Sequence, residues 1–245
     1  MRNMLCALSI GSALLTFAQE DQPTIATDRP GQSFSSSIVP AGSVQIESGY
    51  TLEQDQDVDG TNFNFLLRWG LNEFLEVRFQ QDYLTSDTES ASFSGFGATR
   101  LGIKSVIAKE EGWMPEIALI GSLILPSGES IYQTRNNTPE FAFSTSKALT
   151  DRLSVCYNLG MSWDDDSPEH TNFYTLIFGY SISDRLSGFI EPYGFLRKDT
   201  KADSRINGGF AYLLNPSVQF DISGGVGITS QSPDSFISFG GAIVF

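Results

Sequence analysis

The chain has 245 residues, 40% of them hydrophobic and 12% aromatic, with a formal net charge of −14 and a single His. So acidic a chain lacks the basic surface that phosphate binding needs, which excludes nucleic acid as a partner. Beyond the first twenty residues no run approaches the roughly 18 consecutive apolar residues of a membrane-crossing helix, so a helical membrane protein is excluded; the length suits one large all-β domain as well as two small ones.

The opening stretch, MRNMLCALSIGSALLTFAQE, has a basic Arg2, an apolar run from Met4 to Phe17 and a small Ala18, and reads as a secretory signal over residues 1–18. Cleavage removes Cys6 and leaves Cys156 alone, so an exported chain is held together by strand pairing and burial rather than by internal disulfides. Residues 19–42, which contain TDRPGQ, are too polar and proline-broken for a strand. They form either a periplasmic tether or a plug folded into a lumen, and in the plug Asp28 and Arg29 meet charges of the wall.

From Ser43 onward the hydrophobic pattern has period two. Val44, Ile46, Tyr50 and Leu52 mark a first strand; after the polar EQDQDVDG, Phe63, Phe65, Leu67 and Trp69 mark a second; after GLNE, Leu75, Val77, Phe79 and Tyr83 mark a third. Further strands are predicted near 96–108, 115–125, 139–149, 153–163, 172–182, 186–195, 204–214, 217–228 and 235–245. The total is about twelve strands of about ten residues, the length a tilted strand needs to cross a bilayer. Long polar loops (LTSDTESASFSG, PSGESIYQTRNN, DDDSPEH) alternate with short turns (GLNE, KEEG, LTDR, SISD, NP), the pattern of an outer-membrane barrel with both termini on the periplasmic side. Tyr83 and Trp163 precede long loops, while Trp69, Tyr180 and Tyr212 precede short turns, as two interfacial girdles would.

Residues 153–163, LSVCYNLGMSW, show both faces. Leu153, Val155, Tyr157, Leu159, Met161 and Trp163 alternate with Ser154, Cys156, Asn158, Gly160 and Ser162. Large residues meeting lipid and small polar ones crowding a narrow lumen account for this pattern. A soluble sandwich or lipocalin-like barrel would point the same large residues inward. Strand number, loop asymmetry and the sparse charge of the small face favour a closed antiparallel transmembrane β-barrel over residues 43–245, in the outer membrane with the lipid bilayer as its surroundings.

In that orientation Glu47, Arg68, Glu76, Arg78, Arg100, Lys104, Glu191 and Asp221 line the lumen. Folding about Asp57 sets Glu47 opposite Arg68, folding about Leu71 sets Arg68 opposite Glu76, and the next loop brings Glu76 near Lys104. The expected ladder alternates in sign across four strands, each pair contributing about 0.2–1 kcal/mol, and serves either to fill the pore or to select solutes.

Other motifs carry less. Asp55, Asp57, Asp59 and Gly60 open like an EF-hand loop, but the twelfth position is Leu66 where a bidentate Glu is required, and strands flank it. Asp164, Asp165 and Asp166 make an acidic outer loop without readable ligand geometry, so no metal or cofactor is expected. His170 lies in the loop SPEHTN with no nucleophile set by any known motif, and Cys156 has no candidate base, so no catalytic residue is expected. The last stretch, SFISFGGAIVF, ends on Phe245 and resembles the signal by which outer-membrane barrels engage their assembly machinery.

The segment ATDRPGQSFSSSIVPAGSVQIESGY, residues 26–50, resembles the start of a family of outer-membrane barrels labelled the MetA pathway of phenol degradation. The likeness rests on TDRP at Thr27–Pro30, a VP-x-G lead at Val39–Gly42 and QxExG at Gln45–Gly49, with LGIKSVI at 101–107 and LPSGE at 125–129 further on. The resemblance implies an outer-membrane barrel and, through the family's label, transport in aromatic catabolism. The expected function is passive or facilitated passage of small solutes, aromatic or apolar ones among them. The alternatives are a closed structural or adhesive barrel and a lipid-acting enzyme.

Overall fold

In the computed structural model, residues 24–56, 58–163 and 169–245 are described. The expected signal at 1–18, the start of the 19–42 segment, Asp57 and the run Asp164–Asp166 lie outside them. The strands are β1 (Val44–Asp55), β2 (Val58–Asn72), β3 (Leu75–Asp87), β4 (Ser92–Phe96), β5 (Arg100–Ala108), β6 (Glu116–Ile124) and β7 (Thr138–Ala148), then β8 (Leu153–Trp163), β9 (His170–Ser181), β10 (Leu186–Arg197), β11 (Asp203–Asn215), β12 (Val218–Gly227) and β13 (Ser235–Val244). All pair antiparallel in one sheet; β1 joins β13, and β2 joins β3, so that twelve strands close a ring. Closure leaves no unpaired edge for hydrocarbon to penalise.

Two differences from the predicted strands share a physical cause. β4, inside the long loop after β3, pairs only with the far end of β3, from Tyr83↔Phe96 to Asp87↔Ser92. EQDQDVDG is also no long loop: β1 continues to Asp55 and β2 resumes at Val58, with Asp55 and Val58 paired. Alternation marks only where one face meets lipid. Beyond the bilayer both faces meet water, so the pattern vanishes while the hydrogen-bonded ladder continues.

The interior is inverted relative to a soluble protein. The largest fully buried side chains include Arg68, Lys104, Gln45, Glu47, Glu76 and Glu191, whereas Phe141 and Phe220 are 57% and 56% exposed. Charged residues are almost never fully buried in water-soluble folds unless paired, and large apolar ones dominate their cores. The large face therefore points out to lipid, and the lipocalin-like alternative, which needs it inside, is overturned. At the middle of β8 the two faces divide as the periodicity requires, with Asn158 fully buried and Leu159 47% exposed.

The short-turn rim gathers the β2–β3, β5–β6, β7–β8, β9–β10 and β11–β12 connections with the start of β1 and the end of β13. Phe245 seals the seam there: its N–H donates to Val44 O (2.9 Å) and its carbonyl accepts from Val44 N–H (3.2 Å). On the same rim Lys147 Nζ donates to Glu110 Oε1 (2.9 Å), and this bond holds the Glu110 carboxyl below its ordinary range.

Candidate functional site in the lumen

Inward parity on β1, β2, β3 and β5 brings Glu47, Arg68, Glu76, Arg78 and Lys104 to one side of the lumen. Their register differs from the expected ladder. Glu47 lies opposite Leu66 and Arg68 opposite Arg78, while Glu76 does face Lys104. The two-residue offsets come from where the hairpins turn: the first between Asp55 and Val58, earlier than expected, and the second between Asn72 and Leu75, beyond Leu71, with a one-residue bulge between Gly70 and Asn72 taking part of that shift back. Opposite charges still meet, on the diagonal: Arg68 Nη1 reaches Glu47 Oε1 (2.6 Å), and Nε reaches Glu76 Oε1 (2.8 Å). Long side chains in a crowded interior span such diagonals.

Residues 24–42 run among these side chains. Ile25 N–H donates to Pro216 O (2.9 Å) at the short-turn rim. Asp28 and Arg29 N–H then donate to Glu47 Oε2 (3.1 and 3.3 Å). Gln32 N–H and Ser33 Oγ donate to Glu191 (2.8 and 2.5 Å), and Phe34 N–H donates to Asn158 Oδ1 (2.6 Å). The chain returns through Val39, whose N–H donates to Glu76 Oε2 (2.9 Å), and through Gly42, whose N–H donates to Gly70 O (2.7 Å). Backbone donors buried with carboxylate acceptors make strong, charge-assisted bonds.

The two charged residues of this segment turn to different stretches of the wall, Asp28 to β2, β3 and β5 and Arg29 to β12 and β13. Asp28 Oδ2 accepts from Arg78 Nη2 (2.6 Å), and Oδ1 accepts from Lys104 Nζ (3.1 Å), with Arg68 Nη1 at 3.8 Å. Arg29 donates from Nε and Nη2 to Asp221 (3.2 and 2.7 Å), and from Nη2 to Ser238 Oγ (3.3 Å). Its guanidinium lies in a saddle made by Gly49 and Gly240, which pair across β1 and β13. A Cβ at either glycine would overlap that guanidinium. Among the described residues the hydrogen-bond acceptors of Lys104 Nζ are Asp28 Oδ1, Ser35 O (2.9 Å) and Ser37 O (3.1 Å), all from this segment.

The wall across from the cations is aromatic. Phe173 meets Phe34 edge-on with centroids 6.3 Å apart, and Arg205 lies 6.0 Å and 5.5 Å from the Tyr193 and Phe195 rings. On β9 and β10, then, large residues also face inward, an exception to the small-inside pattern. Residues 28–34 stand between two cavities. One, about 590 Å³, is bordered toward the long loops by Thr51, Glu53, Asn62, Arg100, Tyr193 and Arg205; the other, about 460 Å³, is bordered toward the short turns by Lys147, Ser154, Cys156 and Gln219.

Arg100 stands apart from the cluster, 3.4 Å from Glu140 on the wall of the outer cavity. Sequence reasoning missed Glu140, Glu116 and Arg205; each occupies the inward parity of its strand, which was the available signal. Glu116 accepts from Ser36 Oγ (2.7 Å) and Ser37 Oγ (2.9 Å). His170, expected in a loop, is the first residue of β9 and pairs with Trp163, whose ring is 6.2 Å away. Among the described residues no group of three His, Cys, Asp or Glu side chains is arranged to hold a metal ion.

A closed twelve-strand ring with apolar side chains outside and charge within is an outer-membrane β-barrel. The COG4313 outer membrane channel from Pseudomonas putida F1 shares the fold, with a TM-score of 0.72 at 12% identity over 88% of this chain and 100% of that one. So do the KdgM porin (TM-score 0.56, 16% identity, 81% of this chain and 99% of that one) and the NanC porin (0.59, 9%, 82% and 98%). The chain belongs to the family described as "Putative MetA-pathway of phenol degradation", which it matches over residues 27–245. No curated protein matches it.

Proposed function

We propose that this outer-membrane barrel passes small solutes, and that residues 24–42 close the lumen until they are displaced. The observation that carries this reading is the pair of cavities, about 590 and 460 Å³, both bordered by Asp28, Arg29, Pro30, Gly31 and Ser33. Each is the size of a small-molecule site, about 300–1,000 Å³, and lies on the path between the two rims. Charged walls select the solute and no cofactor takes part. The lumen charges serve passage as well as structure, because several are satisfied by a segment that continuous strands do not require. A lipid-acting enzyme fits less well, since His170 sits on the rim opposite Trp163 and not beside the lumen serines.

The test is conductance in planar bilayers. The chain as folded gives small or rare openings, and deletion of residues 19–42 gives larger, persistent ones. A deletion variant that is folded and inserted but conducts no more than the full chain would overturn the reading and return the barrel to a structural or adhesive role.

A further inference from the structure

We propose that Arg68, Arg78 and Lys104, with the aromatic wall facing them, form a recognition site for an arylcarboxylate solute, and that the chain occupies this site with its own Asp28 and Phe34. The assignment rests on the passage reading and names the class of solute. The Asp28 carboxylate takes charge-assisted bonds from Arg78 (2.6 Å) and Lys104 (3.1 Å). The Phe34 ring lies 5.6 Å from the Arg78 guanidinium and 6.3 Å from the Phe173 ring. A carboxylate and a phenyl ring thus meet one arginine from the same segment, which is the outline of an arylcarboxylate.

The wall itself calls for such an occupant. Lys104 is fully buried, and among the described residues its acceptors all come from the segment. A departing segment leaves this ammonium facing only Glu76, whose carboxylate Arg68 and Arg78 already share, and a poorly paired charge in a narrow lumen is costly unless another acceptor arrives. Glu47 and Glu76 already offset two of the three cations, so one further negative charge balances the cluster. That favours a monocarboxylate over phosphate or sulfate, whose second charge would meet the two glutamates. Arg and aromatic faces pair well with a ring carrying the carboxylate. A solute of this class competes with Asp28 and Phe34, releases the segment and opens its own path.

The test uses the full chain in detergent micelles, with benzoate as probe and benzamide as its neutral control, followed by calorimetric titration. Benzoate is expected to bind and benzamide not. Asp28→Asn removes the internal competitor while keeping its shape, and raises benzoate affinity about tenfold, because apparent affinity scales with the fraction of vacant sites. Lys104→Met abolishes binding; if that variant fails to fold, Arg78→Gln tests the same pole. In bilayers, benzoate raises the open probability of the unsubstituted chain. Equal binding of benzoate and benzamide, or full binding by the Lys104→Met or Arg78→Gln protein, overturns the assignment. Conductance after deletion of residues 19–42 scores passage separately: a conducting barrel that ignores benzoate sinks this proposal alone, whereas benzoate binding to a barrel that never conducts supports the site and sinks passage.

Discussion

Gly240→Ala is the most discriminating single change. The new Cβ overlaps the Arg29 guanidinium, the movable end of a long side chain, so Arg29 yields and the strand does not. Arg29 then loses Asp221, whose side chain is fully buried beside an Arg29 that is 10% exposed. Breaking a buried pair costs about 3–5 kcal/mol; with a cavity on either side to readmit water, the lower end applies, and about 3 kcal/mol corresponds to a roughly 150-fold rise in the undocked population. The barrel itself should not weaken, because Ala suits a strand better than Gly by about 0.5–1 kcal/mol. Native-state hydrogen exchange reads both effects. The Asp28, Arg29, Gln32, Phe34 and Ser35 amides, each bonded to a carboxylate, amide or hydroxyl oxygen, should exchange up to that factor faster. Ladder amides of β1 and β13 should keep their protection. Unchanged exchange at residues 28–35 would show that Arg29 does not anchor the segment, and faster exchange in the ladder would show that the glycine serves the wall instead.

Arg68→Met leaves Glu47 and Glu76 without their shared partner and should lower barrel stability by about 3–5 kcal/mol, read from urea unfolding in lipid vesicles; Arg68→Lys should recover only part, because one ammonium cannot replace the forked contacts to both acids. Leu159→Arg places a charge on the lipid face and should cost about 2–4 kcal/mol in the same assay. Ser154→Thr, in the inward row of β8 and exposed to the cavity toward the short turns, should change it by less than about 0.5 kcal/mol, and the reverse ranking would invert the barrel.

Strand positions were legible because side-chain parity is local: a residue and its second neighbour share a face whatever the rest of the chain does. Inward placement of Glu47, Arg68, Glu76, Arg78 and Lys104 followed from parity alone, and so did the outward row on β8. Strand ends and β4 were not legible, since both lie where water meets both faces and alternation carries no information. β9 and β10 defeated the small-inside rule at Phe173, Tyr193 and Phe195. Their inward surface packs on the N-terminal segment and on Arg205, and so follows the needs of an occupied interior rather than an empty one.

The sequence by itself determined a closed antiparallel barrel with hydrocarbon outside and charge within, because a bilayer enforces period two over every crossing strand. Only the tertiary structure decided which charges meet. Bulges and turn lengths set the register, and ring closure brings β10 and β12 across the lumen from β3 and β5. The contacts of Asp28 with Arg78 and Lys104, and of Arg29 with Asp221, join residues from 50 to 192 positions apart, a distance over which no local pattern reports.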